Sequence, residues 1–466
     1  MKKKNIFLLI SLFVIFSLNS CFLSDLTSLF DNENEKLTLE LLNNAFNGKI
    51  DNNGNQLYQD FSNLKFNNDF EKAERISIKE YSDKIYKNHY YTPTIGDVNA
   101  LVIPVEFKDY KAKNLKVNES ILPNYQSVAS YLYNSSFGQL NINFDILDWQ
   151  MMSEYSTHYE SIEDGANTIK EEVLTKIEKK VDLAKYDNDN DGIIDSLIII
   201  YSAPVKNRNT TYWAYNKRKV QLEEHNGLRT YNFVFAGYDF LFENKKSCNT
   251  TTYIHEIGHM LGLDDYYDYD IKVGCLTGGL GGADMMDCNM GDHNVFSKLF
   301  LGWVNNPILV KLEKGEETTI TIDAYSTNGD CIILSNNFIK RFGLFQDFYI
   351  LQLLDADNPL NKNQLPYDED GIRVLRIHGK DDGFYFENNN SYTKYNLIDA
   401  INNNRQGYVY TKYASTGLYA KKTDLFYENE GASNMTFYDD ESQKLEYGFK
   451  VLKIENNKAT IQIYRD

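Results

Sequence analysis

The feature that most constrains this chain is the stretch His255-Glu256-Ile257-Gly258-His259-Met260-Leu261-Gly262-Leu263-Asp264-Asp265. Two histidines four residues apart on a helix project from one face, so both imidazoles reach a single metal ion while Glu256 flanks it. The spacing predicts a helix carrying two metal ligands and a base. Thr251 and Thr252 are candidate N-caps, and Gly262 stands where the helix stops and the chain turns back toward the metal. A turn there calls for a third ligand just beyond it, in the acidic and aromatic run Asp264-Asp265-Tyr266-Tyr267-Asp268-Tyr269-Asp270.

The helix and turn resemble the zincin motif HExxHxxGxxH, whose third ligand lies ten residues after the first histidine. That position here is Asp265; Asp264 or Asp268 takes the role if the turn differs. A carboxylate oxygen is an acceptable zinc ligand, so His255, His259 and Asp265 leave a fourth position for water, the arrangement of a catalytic site. The chemistry expected of it is peptide hydrolysis, with Glu256 as general base. Downstream, Gly278-Gly279-Leu280-Gly281-Gly282-Ala283-Asp284-Met285-Met286-Asp287 leads a glycine-rich loop to a methionine. Zincins of this extended kind carry a Met turn beneath the metal; Met286 is the expected occupant and Met285 the second choice. Gly291–Trp303 reads as a helix capped by Asp292 and ended near Gly302, with His293 a hydrogen-bonding residue and not a ligand.

A second motif is Asp187-Asn188-Asp189-Asn190-Asp191-Gly192-Ile193-Ile194-Asp195. Carboxylates at loop positions 1, 3, 5 and 9 with glycine at 6 wrap oxygen ligands around calcium, and Ile193 offers its carbonyl at 7. Position 12, a bidentate glutamate in a full EF-hand, is Ile198, so the loop is not a complete EF-hand. The run Ile193–Tyr201 reads as a buried strand and not as a second helix. Calcium bound at Asp187, Asp189, Asp191, Ile193 and Asp195 is expected to stabilise the fold.

The chain has 466 residues, with 48 basic against 66 acidic side chains and a net charge of −18. That balance disfavours nucleic acid and anionic lipid surfaces as partners and suits metal ions. Lys2-Lys3-Lys4, the apolar run Ile6–Leu18 and Leu18-Asn19-Ser20-Cys21 describe a secretory signal over residues 1–20, too short in its apolar part for a comfortable membrane span. The last four residues resemble a bacterial lipobox, with Cys21 as the lipidated residue, which places the chain on the extracellular face of a bacterial membrane, anchored only through lipid, or else secreted. Cys248, Cys275, Cys288 and Cys331 then remain for up to two disulfides, with Cys275–Cys288 the expected pair.

The chain divides into four segments: a lipoprotein signal (1–20), a tether or pro-segment (21–97), a catalytic domain (98–306) and a β-rich C-terminal domain (307–466). A tether with partial order is the favoured reading of the Asn-, Asp- and Lys-rich second segment, which carries one helix-like patch at Leu37–Phe46. In the third, Val98–Phe107 and Leu140–Ile146 read as strands, Ser127–Tyr133 as a helix, and Glu160–Lys180 as a solvated surface helix. Thr211–Asn216 and Tyr231–Phe235 are further short strands, either of them a possible edge for an extended substrate. In the fourth, Thr318–Ile322, Phe348–Leu354, Ile372–Ile377, Phe449–Ile454 and Ala459–Tyr464 alternate as strands.

Taken in order, the metal motif His255–Asp265, the Tyr186–Asp195 loop, Ser135-Ser136-Phe137-Gly138-Gln139-Leu140, the Asp284-Met285-Met286 turn and the Lys298–Trp303 helix end resemble the M6 peptidases, the immune-inhibitor-A-like bacterial zinc metalloproteases. Asp264 departs from that pattern, which usually has proline there, and Gln352-Leu353 stand where a Glu-Asn pair is common. The resemblance implies an α+β chain with a metzincin-like zincin catalytic domain, zinc at His255, His259 and Asp265, Glu256 as base, calcium at the aspartate loop, protein or peptide substrates and a monomer. The alternative is a catalytically silent surface binding protein on the same scaffold; a retained general base argues against it.

Overall fold

A computed structural model describes residues 33–78, 90–115, 122–123, 125–218, 223–242, 248–267, 280–336, 344, 346–362, 364–378, 397–402, 408–409, 420–437 and 443–466. The signal segment, the lipobox and Cys21 lie outside these residues, as do Asp268, Cys275 and the first glycines of the loop before the Met turn.

The first sheet is built on the chain's most apolar runs. Its order is Leu140–Ile146, Gly96–Glu106, Leu197–Tyr201, Asn232–Gly237, Tyr215–Arg218; the first four strands are parallel and the last runs antiparallel to Asn232–Gly237. Continuous apolar strands suit a parallel sheet covered on both faces. Alternate residues divide accordingly. Leu101, Ile103, Val105, Ile199 and Phe235 pack against Ile169, Val173, Leu174 and Ile177 of the helix Gly165–Ile177. Val98, Ala100, Val102, Ile198, Ile200 and Val234 face the core that holds the helix Thr251–Met260. The helix expected at Glu160–Lys180 is thus two, Ser156–Glu160 and Gly165–Ile177, and the longer has a buried stripe. The strand expected at Thr211–Asn216 starts four residues later, at Tyr215.

The C-terminal third forms two further sheets. A seven-stranded sheet runs Ala73–Arg75, Ile308–Val310, Ile332–Leu334, Asp347–Leu354, Gly371–His378, Ile398–Asn402, Tyr408–Val409. A four-stranded sheet runs Glu317–Asp323, Lys458–Arg465, Tyr447–Glu455, Gly431–Ala432. Tyr349, Leu351, Leu353, Ile372 and Val374 pack against Ile320, Ile322, Phe449, Ile461 and Ile463 of the smaller sheet. The opposite face, through Phe348, Ile350, Leu354, Leu375 and Ile377, joins the core containing Ile254, Ile257, Met286 and Leu299. The boundary expected at residue 306 therefore does not separate two cores. With several sheets and short helices among the described residues, the architecture is α+β in the broad sense.

Residues 33–78, part of the expected tether or pro-segment, are built into both halves. Residues 33–47 are helical and bury Leu41, Leu42, Ala45 and Phe46. Phe46 meets Phe144 and Tyr253 edge-on, at 5.1 and 5.4 Å between ring centroids. Ala73–Arg75 adds a strand to the seven-stranded sheet opposite Ile308–Val310, and Arg75 pairs with buried Asp330 at 2.9 Å. The apolar face of residues 33–47 has a destination in the core, which a tether does not need.

Cys248 and Cys331 are buried free thiols, so the second disulfide that the cysteine count allowed does not form. Burial pushes the Cys248 thiol up to about 12. The expected Cys275–Cys288 pair lies partly outside the described residues.

Candidate metal centre

The helix Thr251–Met260 sits with its buried face on the first sheet, and its start differs from expectation. Thr250 is the N-cap residue, but its hydroxyl donates to the Gln126 carbonyl at 2.7 Å. Asn249 Oδ1 takes the backbone N–H of Thr251 at 3.1 Å instead, so Thr251 and Thr252 lie within the first turn. At the other end the helix closes at Leu261, and Gly262 adopts φ +101°, a conformation that glycine reaches without strain. That turn sends Leu263–Asp265 back along the helix.

The consequence is a convergence of three donors. His255 Nε2 and His259 Nε2 lie 3.0 and 3.2 Å from the same oxygen, Asp265 Oδ1. The other ring nitrogens are committed to the backbone: His255 Nδ1 is 2.9 Å from the Met285 carbonyl oxygen and His259 Nδ1 is 2.8 Å from that of Leu263. A carbonyl only accepts, so each Nδ1 carries a proton and each Nε2 faces Asp265, either donating a proton to the carboxylate or, with a cation in the proton's place, offering its lone pair. Two neutral imidazoles and one carboxylate, all within 4.8 Å of one another, are a donor set suited to one zinc ion. Asp268 lies outside the described residues, and Asp264 is not in the group.

Charge within the cluster is strongly coupled. Burial works against protonation of the histidines, but Asp265 outweighs it, raising His255 and taking His259 to about 9. Against its own burial, Asp265 is held well below the usual carboxylate range by the two imidazoles. Glu256 is buried beside them; burial raises its carboxyl, the histidines oppose that, and the backbone N–H of Asn216 donates to it. Asn216 belongs to Tyr215–Arg218, the antiparallel edge strand, so the base is tied to the sheet edge.

Beneath the helix lies the turn Met285–Cys288. Asp284 caps it, accepting from Met286 N at 3.0 Å and from Asn294 N and Nδ2 at 3.0 and 2.9 Å. Tyr266 N donates to the Met286 carbonyl at 2.8 Å, which links the turn to the residue after Asp265. The Met286 side chain packs under Gly258, between the two histidines: a Cβ there would stand 2.5 Å from Met286 Sδ. Met285 contributes its carbonyl to His255, and Met286 its sulfur to the underside of the helix. The next helix is Val295–Phe300, capped by Asn294 and not by Asp292. Asn294 Oδ1 accepts from Phe296 N and Ser297 N, whereas Asp292 is occupied by Lys298 at 2.7 Å and Ser135 Oγ at 2.6 Å. His293 is fully buried, its Nδ1 3.3 Å from the Tyr131 hydroxyl and 3.2 Å from Ser135 Oγ.

In the aspartate loop, carboxylate oxygens of Asp187, Asp189 and Asp195 lie within 4.8 Å of one another. Asp195 Oδ2 accepts from Asn188 N at 2.6 Å, while its buried Oδ1 has no hydrogen-bond partner among the described residues. Burial pushes this carboxyl to about 7, against the Asn188 hydrogen bond. An orphaned acceptor between two further carboxylates fits an oxygen-seeking cation such as calcium. Asp191 stands outside the trio, its Oδ1 taking the Ile193 N–H at 2.8 Å. Ile193 makes an isolated bridge to Arg229, and the strand proper begins at Leu197.

Asn216, Asp287, Gln352 and Arg373 fall within runs that the sequence singled out but were given no role at the site. For Arg373 a signal existed: an arginine inside the apolar strand Gly371–His378. No protein-family model matches the chain, and no curated protein matches it.

Proposed function

We propose that the chain is a zinc-dependent endopeptidase of metzincin-like zincin fold, exported and lipid-anchored at Cys21, acting as a monomer on protein or peptide substrates. The observation that carries the reading is the meeting of His255 Nε2 and His259 Nε2 at Asp265 Oδ1 with Glu256 buried alongside. The helix–turn–Met-turn stack, with Met286 under Gly258, supports the zincin assignment, and the resemblance to M6 peptidases supports the substrate class.

Zinc held by His255, His259 and Asp265 would supply a Lewis acid that lowers the pKa of water and polarises a scissile carbonyl. Glu256 takes the proton from the attacking water and returns it to the leaving amine. Its carboxyl is raised by burial, which brings it closer to the operating pH of a proton shuttle. The Asn216 N–H keeps the carboxylate pointed between the histidines and the sheet edge. Calcium at Asp187, Asp189 and Asp195 would brace the link between the helix Gly165–Ile177 and the strand Leu197–Tyr201.

The test is cleavage of casein and a peptide library by residues 22–466 with zinc and calcium, wild type against Glu256→Ala. Cutting by wild type alone, at equal zinc content, upholds the reading. Zinc uptake without cutting by either favours the silent binding protein.

A further inference from the structure

Two polar side chains interrupt the apolar face that the seven-stranded sheet turns toward the metal centre. Gln352 and Arg373 are register partners on adjacent antiparallel strands, flanked on that face by Ile350, Leu354 and Leu375. Both are buried, Arg373 to 2% exposure. Gln352 Oε1 accepts the Val295 N–H at 3.1 Å, at the start of the helix after the Met turn. Among the described residues the Arg373 guanidinium makes no hydrogen bond through Nε, Nη1 or Nη2, yet it bears electrostatically on Asp284 and Asp287 and on Tyr325 and Tyr367. A buried cation without hydrogen bonds is costly unless opposite charge lies nearby.

That opposite charge holds the Met turn together. Asp284 takes three N–H groups from Met286 and Asn294, and Asp287 Oδ2 takes those of Leu280 and Gly282 at 2.9 and 3.0 Å. Such bonds are stronger to an ionised acceptor. Burial works toward neutralising both, pushing Asp284 to about 6 and Asp287 to about 8, and Arg373 acts in the opposite direction on each. Asp284 also bears on Lys298, itself paired with Asp292 at 2.7 Å, and on the phenols of Tyr131, Tyr266, Tyr325 and Tyr367, the last of which faces Asp287 and Asp424 as well.

We propose that Arg373 is a positioning residue for the metal centre: from the β-rich third its buried guanidinium, unpaired among the described residues, supplies the counter-charge for Asp284, the carboxylate that caps the Met turn, so that the turn presents the Met285 carbonyl to His255. This rests on the zinc reading above. The carbonyl fixes the His255 tautomer, so disorder in the turn reaches the zinc through one hydrogen bond. It also gives the β-rich third a role in the site beyond packing.

The experiment is zinc affinity of the full chain by competition with a chelator between pH 6 and 8, with thermal unfolding measured in parallel. Arg373→Met is expected to weaken zinc about tenfold, the range for partners of a ligand, with a larger loss at the lower pH; Arg373→Lys restores most of the affinity. Arg373→Gln against Arg373→Lys carries the same comparison if Arg373→Met does not fold. Unchanged zinc affinity in Arg373→Met, or a lysine variant no better than the methionine or glutamine one, overturns the proposal. A wild type that binds no zinc overturns the metal reading itself, which keeps the two failures apart.

Discussion

Gly258→Ala tests the stacking of the metal helix on the Met turn. In an isolated helix interior this change stabilises by about 1 kcal/mol. Here the new Cβ would stand 2.5 Å from Met286 Sδ, 3.1 Å from Met286 Cε and 3.7 Å from His293 Nε2. Met286 is fully buried, so its sulfur can yield only by repacking against its neighbours. Overpacking of this kind costs about 1–3 kcal/mol, which outweighs the propensity gain and leaves a net loss of up to about 2 kcal/mol. Urea unfolding should show a lower midpoint for Gly258→Ala, and zinc titration a weaker site, because Met285 moves with Met286. In a Met286→Ala background, which removes the obstructing sulfur, the same substitution should become neutral or stabilising. A Gly258→Ala protein more stable than wild type by what propensity alone provides, or an identical cost in both backgrounds, would refute the stacking.

Phe46→Ala should cost about 3–5 kcal/mol in chemical unfolding, as for a core aromatic, whereas a residue of a free tether would change stability by no more than about 0.5 kcal/mol. His225 is clamped between Glu171 at 2.9 Å and Glu178 at 3.1 Å, and the Glu171 hydrogen bond, against burial, raises its pKa. A folded pKa above the unfolded value means this contribution is fully present below about pH 6.5 and is lost as pH rises through the folded value; stability against pH for His225→Gln should lack that decline. Removing calcium by chelation should lower the melting temperature of wild type, and Asp195→Asn should shrink that shift; equal shifts in the two proteins would remove calcium from Asp195.

Legibility in the sequence divides by the range of the interaction. The strands Val98–Phe107 and Leu140–Ile146 were legible because an apolar or alternating run reports directly which faces are buried. The convergence of His255, His259 and Asp265 was legible because its signals are local: spacing puts the two histidines on one helical face, and Gly262 marks the turn to Asp265. Helix starts were harder where two good caps compete. Asp292 and Asn294 both suit an N-cap, and Asn294 takes the role because Asp292 is drawn to Lys298 and Ser135, the latter 157 positions away. At Thr211–Asn216 the aromatic residues suit a core-facing loop as well as a strand; Tyr212 is buried without belonging to one. In the N-terminal segment the helix at Leu37–Phe46 was legible, but where its apolar face goes was not, because that destination is set by tertiary contact. Arg373 and Gln352 show the same limit: the pattern placed them on strands, and only the packing of sheet on turn brought them under the metal centre.

Whether one zinc ion is held by His255, His259 and Asp265 is tested most directly by diffraction from crystals of the zinc-loaded protein, collected on both sides of the zinc absorption edge. The expected result is a single anomalous peak about 2.0–2.2 Å from His255 Nε2, His259 Nε2 and an Asp265 oxygen, with the Glu256 carboxylate beside the peak but outside coordination distance. A peak coordinated by Asp264 or Asp268 in place of Asp265, or no peak between the two histidines, would contradict it.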